Sequence, residues 1–161
     1  MGGIIAALYV VLTLLANAFG LANYAIQVRF SEALTVLPYF VPAAVPGLFA
    51  GCFLSNILTG AMPLDVVFGS LATLAGALAT RFFAKHFPEK KWLAPIPPII
   101  ANTIVVPLVL SYVYKFEGSL IFFAVTVCIG EVISCGILGT LLMRVVSKYA
   151  AVLFTAEYKQ D

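Results

Sequence analysis

Ionisable side chains are missing from this chain over runs long enough to cross a bilayer. No Asp, Glu, Lys, Arg or His occurs between Met1 and Val28, between Ala33 and Leu64, or between Trp92 and Tyr114. Charged residues are 10% of the 161 and apolar residues 63%, whereas an ordinary soluble domain carries roughly 25% charged residues. Too few charges exist to coat a water-facing surface, while lipid solvates apolar side chains directly. A helix needs about 20 apolar residues to cross the hydrocarbon core, so six spans and their loops nearly use up the chain. The expected fold is all-α: one integral-membrane domain over residues 1–161, a bundle of six transmembrane helices. No length remains for a soluble catalytic or nucleotide-binding domain. Function must reside inside the bundle or in short loops.

Span one is expected from Gly3 to Leu21, without the basic n-region or cleavage site of a signal peptide. Its abrupt start inside an apolar run leaves room for a preceding segment. A polar loop follows, Ala22 to Glu32. Span two begins at Ala33 and is short, interrupted by Pro38 and Pro42; span three covers Ala43 to Leu58. Span four runs from Val66 to Phe83, span five from Ile96 to Tyr114, and span six from Ser119 to Val146. The hinge between spans four and five holds Arg81, Lys85, Lys90 and Lys91, and the C-terminal end holds Arg144, Lys148 and Lys159. With six spans these seven basic residues share one side, against Arg29 and Lys115 on the other. Basic loops stay cytoplasmic, so both termini are expected in the cytoplasm, with Trp92 as an interfacial anchor.

Ionisable groups inside a membrane are costly and usually functional. Glu131 lies twelve residues into span six, roughly 18 Å deep by helix rise, with Ser134 and Cys135 on the same face one turn further in. It is either a structural carboxylate bonded to a neighbouring helix or an acceptor facing a ligand. Asn102 in span five is at similar depth and could bond Glu131 or a ligand. Asn56 and Asp65 could face the same cavity, although Asp65 also suits a helix N-cap; Asn17 is a weaker candidate. In the outer loop, Arg29 and Glu32 are three residues apart and look like a gate or ligand clamp. Cys52, Cys128 and Cys135 all lie in apolar segments and are expected to be small buried residues, without redox or metal chemistry. Gly2 and Ala6, Gly3 and Ala7, and Gly47 and Gly51 are spaced four apart, which lets helix backbones approach closely. No phosphate-binding loop, H-E-x-x-H motif or hydrolytic constellation is present, so neither an enzyme nor a cofactor is expected.

The runs Val28 to Leu34, Pro46 to Gly51 and Leu64 to Leu74, with Gly130-Glu131, resemble the queuosine-precursor transporter (QueT) family over nearly the whole chain. These are substrate-binding S components of energy-coupling factor (ECF) transporters. The resemblance implies six helices in the prokaryotic cell membrane, a transmembrane coupling subunit and two cytoplasmic ATPases as partners, and no nucleic acid. It implies docking through small residues of the first helix, here Gly2, Gly3, Ala6 and Ala7. The implied ligand is a deazaguanine: queuine or its aminomethyl or cyano precursor. A carboxylate can accept the adjacent donors of a guanine-like edge, which is the role expected of Glu131. Glu32 or Asp65 would meet an amine, and Tyr112, Phe30, Tyr24 and Phe68 would stack on the ring. The alternatives are an S component for thiamine or riboflavin, a small intramembrane enzyme with Glu131 and Asn102, or a channel. The topology has a direct test: cysteines introduced at Lys90 and at Glu117 should be labelled from opposite sides of the membrane. Labelling of both from one side would overturn it.

Overall fold

The computed structural model describes residues 1–21 and 27–154. Among them are six α-helices and no strand: α1 (Gly2–Ala18), α2 (Ala44–Leu58), α3 (Pro63–His86), α4 (Ile96–Leu108), α5 (Leu120–Glu131) and α6 (Gly139–Leu153). A 3-10 segment, Phe30–Tyr39, precedes α2. A π-helical stretch at Val109–Val113 extends α4, and another at Val132–Leu138 joins α5 to α6 without a break.

Local chemistry sets the helix starts. Pro63 opens α3 and prolines open α4, where a missing N–H costs nothing and φ is already helical. Ser119 caps α5, its hydroxyl accepting the Phe122 N–H at 3.1 Å. Three continuous helical stretches are long and apolar enough to cross a membrane: Pro63–His86, Lys91–Val113 and Leu120–Ala150. The helices α1 and α2 are apolar but shorter, 17 and 15 residues. The segment expected as span two is the 10-residue 3-10 segment, only about 20 Å long by the 3-10 rise. It is buried nearly all round, from Ser31 to Pro38.

The bundle buries a polar cluster beside its apolar core and turns apolar side chains outward. Ile121 is 77% exposed and Phe19 70%, while Glu32 is 2% exposed and Thr73 2%. That inversion belongs in lipid, where the exterior needs no water and the interior must satisfy its own polar groups.

Small residues allow the close crossings. A Cβ on Gly47 would lie 2.6 Å from the Gly2 carbonyl oxygen, and one on Gly51 would lie 2.7 Å from the Tyr9 Cβ and 3.0 Å from the Ala6 oxygen. The crossing of α1 with α2 therefore uses Gly2 and Ala6 within the bundle. Gly3 and Ala7 face outward, and a Cβ on Gly3 would meet nothing within 4 Å. Gly76 meets Pro98 in the same way, its Cβ position 2.8 Å from the proline Cα. On α5, Gly130 has the Gln27 carbonyl where a Cβ would stand, which brings the chain ahead of the 3-10 segment against α5. Overpacking a close contact costs about 1–3 kcal/mol. Gly47→Ala should therefore lower the melting temperature of the purified protein, and Gly3→Ala should not. Equal melts for the two variants would contradict the crossing.

Candidate ligand-binding site

Seven of the polar residues singled out in the sequence converge on one cavity. An outer chamber of about 620 Å³ is lined by Asn17, Gln27, Arg29, Asn56, Thr59 and Asp65 with apolar and aromatic side chains of α4 and α5. A small recess of about 20 Å³ forms its floor, lined by Glu32, Cys52, Thr73, Asn102 and Glu131; Gln27, Arg29 and Asp65 border both spaces. The 3-10 segment supplies Glu32, α4 supplies Asn102, and Glu131 is the last residue of α5.

The floor is one hydrogen-bonded unit. Asn102 Nδ2 donates to Glu131 Oε1 at 3.0 Å and to Glu32 Oε2 at 3.4 Å. The Tyr9 hydroxyl donates to Glu32 Oε1. The Cys135 thiol, one turn beyond Glu131, donates to Glu131 Oε2 at 3.1 Å and approaches the Glu32 carbonyl oxygen at 3.4 Å. Both carboxyl groups thus use both oxygens inside a nearly dry interior. The 3-10 segment is tied down on either side: Thr13 donates to the Ser31 hydroxyl at 2.8 Å, and the Arg29 N–H donates to the Ser134 hydroxyl at 3.1 Å.

At the outer level, Tyr114 donates to Asp65 Oδ2 at 2.8 Å and accepts the Met62 N–H at 3.2 Å. Asp65 lies in the first turn of α3, which starts at Pro63. Its carboxylate serves the cavity and Tyr114, and it does not occupy the N-cap position that the sequence also allowed. The Arg29 guanidinium borders both chambers and makes no hydrogen bond or ion pair among the described residues.

Three expected aromatics do not reach the cavity. Tyr112 is 73% exposed on the outer surface, Phe68 is exposed on α3, and Phe30 is half-buried away from the lining. Tyr114, Phe116, Phe122 and Phe123 line it in their place. Tyr24 lies outside the described residues. Sequence reasoning also missed Tyr9, whose one signal is its place on the stripe Gly2, Ile5, Tyr9, Thr13, Ala16 at helical spacing.

Glu32, Glu131 and Cys135 bring three potential metal-ligand atoms within 4.8 Å of one another. The donor set does not fit a metal, because the thiol keeps its hydrogen and spends it on Glu131 Oε2, and the other carboxylate oxygens are taken by Tyr9 and Asn102. What the arrangement can do is accept several N–H donors on the floor and offer a guanidinium above them. Cavities of a few hundred Å³ with a few convergent polar groups are ligand sites.

The family model for the QueT transporter matches residues 1–148. The chain belongs to the QueT transporter family. No curated relative and no solved structure matches it. A QueT chain is a membrane transporter, which accords with an apolar exterior enclosing a polar cavity. In this QueT protein Asn102 bridges two buried carboxyl groups. Asn102→Leu strands an acceptor on each, at about 1–3 kcal/mol per stranded group. The melting temperature should fall markedly in the absence of any ligand. An unchanged melt would remove the bridge from the fold's support.

Proposed function

We propose that this chain is the substrate-binding S component of an ECF-type importer and that it binds a queuosine precursor, a deazaguanine, in the cavity over the Glu32–Asn102–Glu131 floor. The observation that carries this is the floor itself, in a chain of the QueT transporter family: two carboxyl groups bridged by one amide under a cavity of about 620 Å³. A guanine-like edge presents N–H and NH₂ donors side by side, and Glu131 accepts them. Arg29, which faces Asp65 and Glu32 without a side-chain hydrogen bond among the described residues, offers donors to the ligand's carbonyl or nitrile acceptor. Asp65 and Glu32 are placed for a cationic amine, and the ring packs among Tyr114, Phe122 and Phe123.

The chain crosses the cell membrane six times with both termini in the cytoplasm, supported by seven basic residues against two. It binds without pumping, because the sequence contains no phosphate-binding loop. The energy comes from two cytoplasmic ATPases through a transmembrane coupling subunit. Gly2 and Ala6 already meet α2, which leaves the exposed pair Gly3 and Ala7 on α1 for the coupling subunit.

Glu131→Gln keeps size and helix propensity but loses the charge and turns an NH₂ group toward a ligand donor. A hydrogen bond to a charged group is worth roughly 1.5–3 kcal/mol and a stranded donor costs a further 1–3. Titration calorimetry of purified protein with a deazaguanine should show binding that Glu131→Gln weakens at least ~10-fold, with a smaller fall in the ligand-free melt because the new NH₂ meets the Asn102 or the Cys135 donor. Affinity like that of the unaltered chain would take Glu131 out of the site. No binding of any deazaguanine by the unaltered chain would overturn the assignment.

A further inference from the structure

The cavity floor holds more acid than base. Glu32, Asp65 and Glu131 border the recess with one cation, Arg29. The two glutamates are at most 8% exposed. One amide nitrogen touches both, and their nearest ligand atoms lie within 4.8 Å. Two carboxylates sharing one dry site do not both ionise readily, and they titrate as a unit rather than separately. The surrounding groups do not supply the missing positive charge. Tyr9 from α1, Cys52 from α2, Asn102 from α4 and Cys135 from the π stretch are neutral donors or thiols. Arg29 faces Asp65 on α3 as well as Glu32, so one guanidinium stands against three carboxyl groups.

We propose that the Glu32–Glu131 pair holds a single proton in the empty protein, and that a ligand bearing a cationic amine binds by taking that proton's place. This rests on the deazaguanine assignment above and adds to it the charge of the preferred ligand. One carboxylate and one carboxylic acid become two carboxylates. The released proton leaves to water through the outer chamber, and the ligand keeps its own ammonium proton. The floor's net charge is the same before and after. A neutral deazaguanine cannot compensate the second carboxylate and leaves the proton where it is. Binding of the cation therefore weakens as pH falls, on the order of tenfold per pH unit for one proton released, while binding of the neutral ligand does not follow pH.

Two measurements on the purified full chain test this separately. Infrared spectroscopy of the ligand-free protein at neutral pH should show a protonated-carboxyl C=O band, lost in Glu131→Gln because the remaining Glu32 ionises alone. Titration calorimetry in phosphate and in Tris, buffers with different ionisation heats, counts the protons exchanged. The aminomethyl deazaguanine should release about one proton and the cyano form about none. Absence of the infrared band, or equal proton counts for the two ligands, overturns the inference. If neither ligand binds, the exchange falls together with the deazaguanine assignment. The infrared band then separates that failure from a failure of proton sharing.

Discussion

Glu32 ties the interior together from both its side chain and its backbone. Its carboxyl oxygens take Tyr9 from α1 and Asn102 from α4, and its carbonyl takes the Thr35 hydroxyl at 2.6 Å with the Cys135 sulfur 3.4 Å away. Removing one partner of a buried charge costs several kcal/mol, because the other is left uncompensated. Each element that supplies a partner is therefore held at a fixed distance from the 3-10 segment. The same carbonyl contacts account for the winding of that segment. Side-chain donors on a backbone carbonyl compete with the α-helical bond it would otherwise accept, and Pro38 has no N–H to give to the turn before it. A short, tightly wound segment results, buried on nearly every side, with Glu32 at the depth of Asn102 and Glu131.

Three of the four irregular helical turns among the described residues gather around this point; the fourth, Lys91–Leu93, lies in the basic hinge. The 3-10 segment forms the floor, the Val109–Val113 π stretch contributes Val109 to the chamber wall, and the Val132–Leu138 π stretch begins immediately after Glu131. Non-helical backbone in a membrane is tolerated where it is buried in protein or lines a cavity. Pro107 sits just before the first π stretch and removes one α-helical bond there. Departures from regular helix are therefore concentrated where the backbone carries the site, while α3 runs 24 residues without one.

What the sequence discloses follows what it costs to put a residue in lipid. Arg29, Glu32, Asn56, Asp65, Asn102 and Glu131 stood out because each is expensive outside a polar cavity, and all six border the same one. Aromatic side chains carry no such signal, since a ring is equally at home facing lipid or a ligand. Tyr112 and Tyr114 show the difficulty: two positions apart, they point to opposite sides as i and i+2 on a helix do, and nothing in their residue type says which side is the cavity. The prolines marked span two as interrupted without specifying its 3-10 form. Spacing alone likewise gave two candidate small-residue pairs on α1. Only the position of α2 separates Gly2 and Ala6, which it covers, from Gly3 and Ala7, which it leaves open.

The carboxyl groups of the site are already hydrogen-bonded within the protein, and this bears on selectivity. Asn102 serves both glutamates, Tyr9 and Cys135 take their remaining oxygens, and Tyr114 holds Asp65. A ligand gains little by adding to these bonds; it must displace them and replace each one. A molecule of the right shape that lacks a donor would leave a buried carboxylate oxygen short, and sites built around buried polar groups reject such analogues far more strongly than apolar pockets reject a misfit methyl group. Arg29 differs: its guanidinium faces Asp65 and Glu32 but makes no hydrogen bond among the described residues. An acceptor placed against its guanidinium would add a contact without breaking one among the described residues, whereas a donor on the floor would compete with bonds already made there.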